Sequence, residues 1–100
     1  VAVSTQFITH PGRGVIEMLM TRMGASAKKS MDVLDFSAVG LVQGRLLDMI
    51  AASDVAEKAA DVSVFDLKGT CPQHTTMIGI FGDIAAVRTA LDAVEKAEHI

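Results

Sequence analysis

The residues best suited to chemistry stand together in Lys68–His74, K-G-T-C-P-Q-H. Cys71 is the only thiol in the chain. A lone cysteine forms no internal disulfide, and an iron–sulfur cluster takes about four thiolates, so one chain holds neither. His74 follows three residues later, which adds C-x-x-H, half of a zinc site. Either metal site would have to be completed by copies of the same chain around an axis. Pro72 fixes its own φ and biases Cys71 toward extended backbone, while Gly69 permits a close approach. Such a segment would hold its thiol in one direction. Thr70 and Gln73 offer donors to the sulfurs of a cluster, which would tune its potential. Lys68 would make the approach positive for anions, though a solvated loop lysine explains it equally well. Without partner copies, Cys71 is an ordinary free thiol.

No other group of residues resembles a catalytic set. There is no Ser/His/Asp arrangement, no phosphate-binding glycine motif and no purposeful pair of carboxylates. Asp48, Asp54 and Glu57 share one helical stretch and face solvent or a neighbouring subunit. Asp54 and Lys58 are four apart, a favourable helix pair. An enzyme is therefore not expected. The net charge is −3 and the basic residues are scattered, so no nucleic acid is expected as a partner. No apolar run approaches the length of a membrane span. Val1–Phe7 alternates like a strand and lacks the basic start of a signal peptide. With one cysteine, a cytoplasmic protein is expected.

Half of the 100 residues are hydrophobic, with no Trp or Tyr. The core must come from Val, Ile, Leu, Met and Ala, with the methionines filling gaps. A monomer built this way is modestly stable, and association would bury more apolar surface.

The elements that must position the segment follow from periodicity. Ala2–Thr9 reads as a strand, with Val3, Thr5 and Phe7 at period two. His10-Pro11-Gly12 breaks it. Val15, Ile16, Leu19, Met20 and Met23 have helical spacing, with Gly24 as the stop. Residues 25–36 read as a connecting loop. Ala38–Val42 is a short buried strand and Gly44 a turn. Arg45–Ala60 is a helix whose buried face is expected to be Leu47, Ile50, Ala51, Val55 and Ala59. Val62–Leu67 is a strand, Lys68–His74 a loop and Thr75–Phe81 a strand. Gly82-Asp83 is a turn with an N-cap, and Ile84, Val87, Leu91 and Val94 mark the buried stripe of a last helix. This order suggests an α+β domain, an antiparallel ferredoxin-like sheet with packed helices, spanning 1–100 as one unit.

Two stretches carry a more specific signal. AVGLVQGRLLDMIAASDVAEKAADV (38–62) and MIGIFGDIAAVRTALDAV (77–94) resemble, in order and spacing, the shell domain of bacterial microcompartments, the BMC domain. FITHPGRGVIEML (7–19) resembles the strand-Pro-helix element that most members carry at the C-terminus. Here it comes first, which is similar to the circularly permuted branch of the family; the lack of a final strand after the last helix agrees with that expectation. Permutation leaves packing largely unchanged when the old termini are close.

The resemblance implies a homohexamer that tiles, beside other shell proteins, into the wall of a cytoplasmic compartment around encapsulated enzymes. Lys58, in E-K-A-A-D, falls at the position of the family's edge lysine, and His10 lies near an edge arginine of many members. The strand-connecting loop, here Lys68–His74, lines the six-fold pore in the family. Its G-T-C-P-Q resembles the loop of a divergent permuted branch tied to glycyl-radical propanediol compartments and to an iron–sulfur cluster in the pore. On that likeness Cys71 from some of the subunits would ligate a 4Fe–4S cluster shared at the pore, one that air could remove. Two alternatives stay open: a plain tile whose pore passes small polar metabolites, and a small-ligand-binding protein on the same scaffold. A Cys71/His74 zinc site ranks below the cluster.

Overall fold

The computed structural model of the protein describes residues 3–25, 29–30, 35–68 and 75–98. Its sheet has four strands: β1 (Ser4–Thr9), β2 (Ala38–Arg45), β3 (Ser63–Leu67) and β4 (Thr75–Gly82). They lie in the order β1-β2-β4-β3, every neighbouring pair antiparallel. The helices are α1 (Arg13–Thr21), α2 (Leu46–Ala59) and α3 (Ile84–Glu98). This is the expected α+β architecture.

The two central strands are apolar on both faces because helices cover both. Ala38, Val42, Ile78 and Ile80 point toward α2 and α3, where Val87, Ala90, Leu91 and Val94 meet them. Val39, Phe81 and Leu67 point the other way, onto Leu19 and Met23 at α1. Strands covered on both sides read as near-continuous apolar runs, which is how they were legible. Phe36 and Phe65 meet Phe81 edge-on, with ring centroids 5.2 and 5.6 Å away.

β1, the edge strand beside β2, is tied to α3 as well. Arg88 sits over the Phe7 ring, 4.9 Å from its centroid, and Thr5 donates to Glu95 at 2.9 Å. At the start of α3 the Ala86 amide donates to Asp83 Oδ1 at 2.7 Å, so the expected N-cap is present.

Four expectations are corrected. Gly44 is no turn: β2 runs on to Arg45, and Gly44 pairs with Thr76. A Cβ there would stand 3.0 Å from Met49 Cε and 3.2 Å from Val3 Cγ1, so close packing explains the glycine. α1 ends at Thr21, before Gly24; the amides of Arg22 and Met23 close on the carbonyls of Leu19 and Met20, and Met23 turns into the core. Within the expected loop 25–36, Ala25, Lys29 and Ser30 are helical. The face of α2 departs furthest from expectation. Its buried residues are Met49, Ala52 and Ala56, while Leu47, Ile50 and Ala51 face outward and Val55 and Ala59 are half-buried. Small alanines at 52 and 56 let the helix approach the sheet more closely than Leu or Ile would, and that packing overrode the choice of the largest side chains.

Candidate functional site

The sheet register gives the molecule two distinct ends. Leu67 pairs with Met77, and Arg45, the last residue of β2, pairs with Thr75, the first of β4. The seven residues between β3 and β4 are therefore anchored at the end of the sheet where β2 passes into α2. That junction has no loop: Arg45 is extended at φ −67° and ψ 148°, and the helix starts at the next residue. Ala38 pairs with both Thr9 and Gly82 at the opposite end, close to where Ser63 pairs with Phe81. α2 runs from the first end to the second, about 21 Å for its 14 residues.

The site residues read from the sequence fall on these ends as follows. Lys68 is exposed at the loop end, and its amide donates to the Arg22 carbonyl at 2.9 Å, which ties the close of α1 to the close of β3. Gly69, Thr70, Cys71, Pro72, Gln73 and His74 lie outside the described residues. Lys58 and His10 are at the far end, both exposed. Lys58 Nζ is 2.8 Å from Asp54 Oδ2. The hydrogen bond that the Lys58 ammonium donates to Asp54, and then the Asp54 charge, hold Lys58 above its ordinary 10.5. His10 adopts φ 47°, left-handed backbone that disfavours side chains with a Cβ, and its amide donates to the Ser37 carbonyl at 2.8 Å. Lys58 and His10 thus share one end, and the Lys68–His74 segment is mounted on the other. Among the described residues no three of His, Cys, Asp and Glu cluster as metal ligands. No helix there is long and apolar enough to cross a membrane.

One surface escaped the reading of the sequence. At the loop end, the first turns of α2 expose Leu46 at 57%, Leu47 at 80% and Ile50 at 63%. Leu46 and Ile50 also line a groove of about 310 Å³ between α2 and the β3–β4 hairpin, with Met49, Val64 and Ile78 as its apolar lining. Ser53, Glu57, Asp66 and Thr76 give it polar margins. The signal was present in the run L-L-D-M-I-A-A, which is apolar on more sides than one buried face can use.

The chain matches the family model for the BMC domain over residues 38–99, with β1 and α1 preceding the matched part. None of the curated proteins compared with it matches. It is similar to the ligand-free GrpU microcompartment shell protein from Clostridiales bacterium 1_7_47FAA, with 34% identity and a TM-score of 0.71, over 97% of this chain and 93% of that one. For the ligand-free GrpU microcompartment shell protein from Pectobacterium wasabiae, identity is 30% and the TM-score 0.73, over 92% of this chain and 99% of that one. A fused permuted hexameric shell protein from the RMM microcompartment shares the fold at 23% identity and a TM-score of 0.66, over 94% of this chain and 44% of that one.

Proposed function

The chain belongs to the BMC domain family of microcompartment shell proteins, in permuted order, and from that premise we propose that it forms a cyclic homohexamer whose pore is lined by Lys68–His74 and shares an iron–sulfur cluster through Cys71. One observation carries the ring reading. The segment with the only thiol hangs from one end of the sheet, and the two edge residues, Lys58 and His10, stand at the other. A tile needs that polarity: one end toward its axis, the other toward its neighbours. The family is structural rather than catalytic, and the part of this chain is to make wall.

The donor set fits a cluster only when copies share it. One thiolate per chain falls short of the roughly four that a cluster takes, and a ring multiplies it. Three alternate Cys71 thiolates would satisfy three irons of a cubane, leaving the fourth to a small ligand or another residue. When bound, such a cluster would supply one-electron transfer at the shell wall. The chain's own part is to hold the thiols at one radius, with Pro72 and Gly69 setting the backbone and Thr70 and Gln73 available as donors to sulfur. The likeness of the G-T-C-P-Q segment extends the proposal to glycyl-radical propanediol chemistry for the contents of the compartment. Other shell proteins would meet the tile at the Lys58 and His10 end.

The test is protein prepared without oxygen, assayed for iron, acid-labile sulfide and visible absorption. The expected result is iron and sulfide in the assembled ring, lost in Cys71→Ser while the ring persists. Full iron content in Cys71→Ser would overturn the ligand assignment. An iron-free ring from anaerobic cells would leave a plain pore for small polar molecules.

A further inference from the structure

We infer that the closing turn of α1, residues 19–23, is the clamp that fixes where the 68–74 segment starts, with Arg22 and Met23 as positioning residues for Cys71. The inference rests on the pore reading of that segment and deepens it by naming what holds the thiol in place from outside the segment.

Two backbone groups left over by their own elements meet here. β3 ends at Leu67, which makes the last pair of its ladder with Met77, so the Lys68 amide lies beyond the sheet. α1 ends at Thr21 with Arg22 as its C-cap, and the last carbonyls of a helix have no partner within it. The Lys68 amide donates to the Arg22 carbonyl at 2.9 Å, which satisfies one group of each element. Side chains on both sides hold that bond in register. Leu67, 2% exposed, and Met23, 5% exposed, are buried in one cluster with Leu19, Val39 and Phe81. The turn itself is tight: the amides of Arg22 and Met23 close on the carbonyls of Leu19 and Met20, and Arg22 Nη1 donates to the Met18 carbonyl at 3.1 Å. Beyond the segment, Thr75 pairs with Arg45. The thiol thus has an anchor on each side, α1 before it and β2 after it. Cys71 is three residues past Lys68, so their Cα atoms are at most about 11 Å apart. Free rotation at Lys68 would let the thiol range over that reach, and the bond to Arg22 with Leu67 buried behind it removes that freedom. A site shared by copies needs every thiol at one radius, and order present before a ligand binds is order the ligand does not have to impose.

The experiment follows two quantities in the full chain: hydrogen exchange at the Lys68 amide, and the rate at which a neutral maleimide labels Cys71 under native conditions. Met23→Ala opens the cluster behind the clamp, and Met23→Leu refills it. Lys68→Pro removes the donating amide and leaves that cluster whole. Val94→Ala opens the cluster on the other face of the sheet and controls for lost stability. In wild type the Lys68 amide is expected to exchange about tenfold more slowly than open chain. Met23→Ala should remove most of that protection and raise the labelling rate about threefold to tenfold. Lys68→Pro should raise labelling likewise, Met23→Leu should return both quantities to wild type, and Val94→Ala should leave them there. An unprotected Lys68 amide in wild type overturns the clamp. So does labelling that rises as much in Val94→Ala as in Met23→Ala, or that stays unchanged in Lys68→Pro. If Met23→Ala fails to fold, Lys68→Pro and the wild-type exchange decide. Both quantities can be read in a ring or a monomer, so a monomeric wild type with the expected pattern overturns the ring and supports the clamp.

Discussion

The two halves of α2 differ as much as two proteins would. The half at the loop end shows solvent Leu46, Leu47 and Ile50, begins without a side-chain cap at Arg45, and leaves Asp48 Oδ2 unmet. The half at the far end carries Asp54 and Lys58 already bonded to each other, with Ala56 buried beneath. One half leaves large apolar side chains exposed, and the other exposes charges that already pair. The contrast separates two surfaces: an apolar one at the loop end and a charged one, already paired, at the far end.

The largest test of that contrast uses neighbours on the helix. Met49, 1% exposed, underlies the patch that Leu47 crowns. Met49→Ala should cost about 2–5 kcal/mol in the folded chain. Leu47→Ala, at a side chain 80% exposed, should change the stability by less than about 0.5 kcal/mol. Thermal melts of both, run at low concentration, check this.

Next in size is capping. Asp83 caps α3 at the far end, and Asp83→Ala should cost about 1 kcal/mol, seen as a melting shift of roughly 4–8 °C with the ring intact. A ring lost together with the cap would erase the distinction between the ends.

Lys58→Ala should leave ring mass and melting unchanged while reducing ordered sheets seen by electron microscopy. The pH dependence follows from the pair with Asp54. The folded Lys58 pKa lies above its ordinary 10.5, so what the pair contributes is present below 10.5 and is lost as pH rises through the folded value. Tiling that depends on this charge should therefore hold steady through roughly pH 7–9 and fail only in strong alkali.

The smallest effect is expected at His10. Relieving its left-handed φ is worth about 1–2 kcal/mol, and the freedom that glycine adds to the unfolded chain returns about 0.4–1 kcal/mol of that. The two ranges largely offset, so His10→Gly should raise the melting temperature by a few degrees.

Much of this was legible in the residues. The buried stripe of α3 was read correctly from Ile84, Val87, Leu91 and Val94, because a helix with one apolar face has one way to lie. The central strands and the family followed from apolar runs and from the order of two long stretches. The face of α2 was not legible. Apart from Asp48, its N-terminal half is apolar on more than one side, and the choice fell to how closely Ala52 and Ala56 fit the sheet, a property of the partner surface. The outer patch escaped for the same reason, since residues assigned to the core are not sought on the surface. Gly44 misled because glycine signals a turn locally, whereas here it admits Met49 and Val3. The Cys71 segment owes its reading to its residue types and their likeness, and its place at one end of the molecule comes from the strands on either side.

The direct passage from β2 into α2 has a mechanical meaning. Arg45 is held opposite Thr75 by a strand with partners on both sides, and no slack lies between it and Leu46. The mount of the thiol-bearing segment and the mount of the apolar patch are therefore one stiff bracket. In the proposed ring, a change in the bore would be transmitted to the start of α2, and a push on that helix would be felt at the bore.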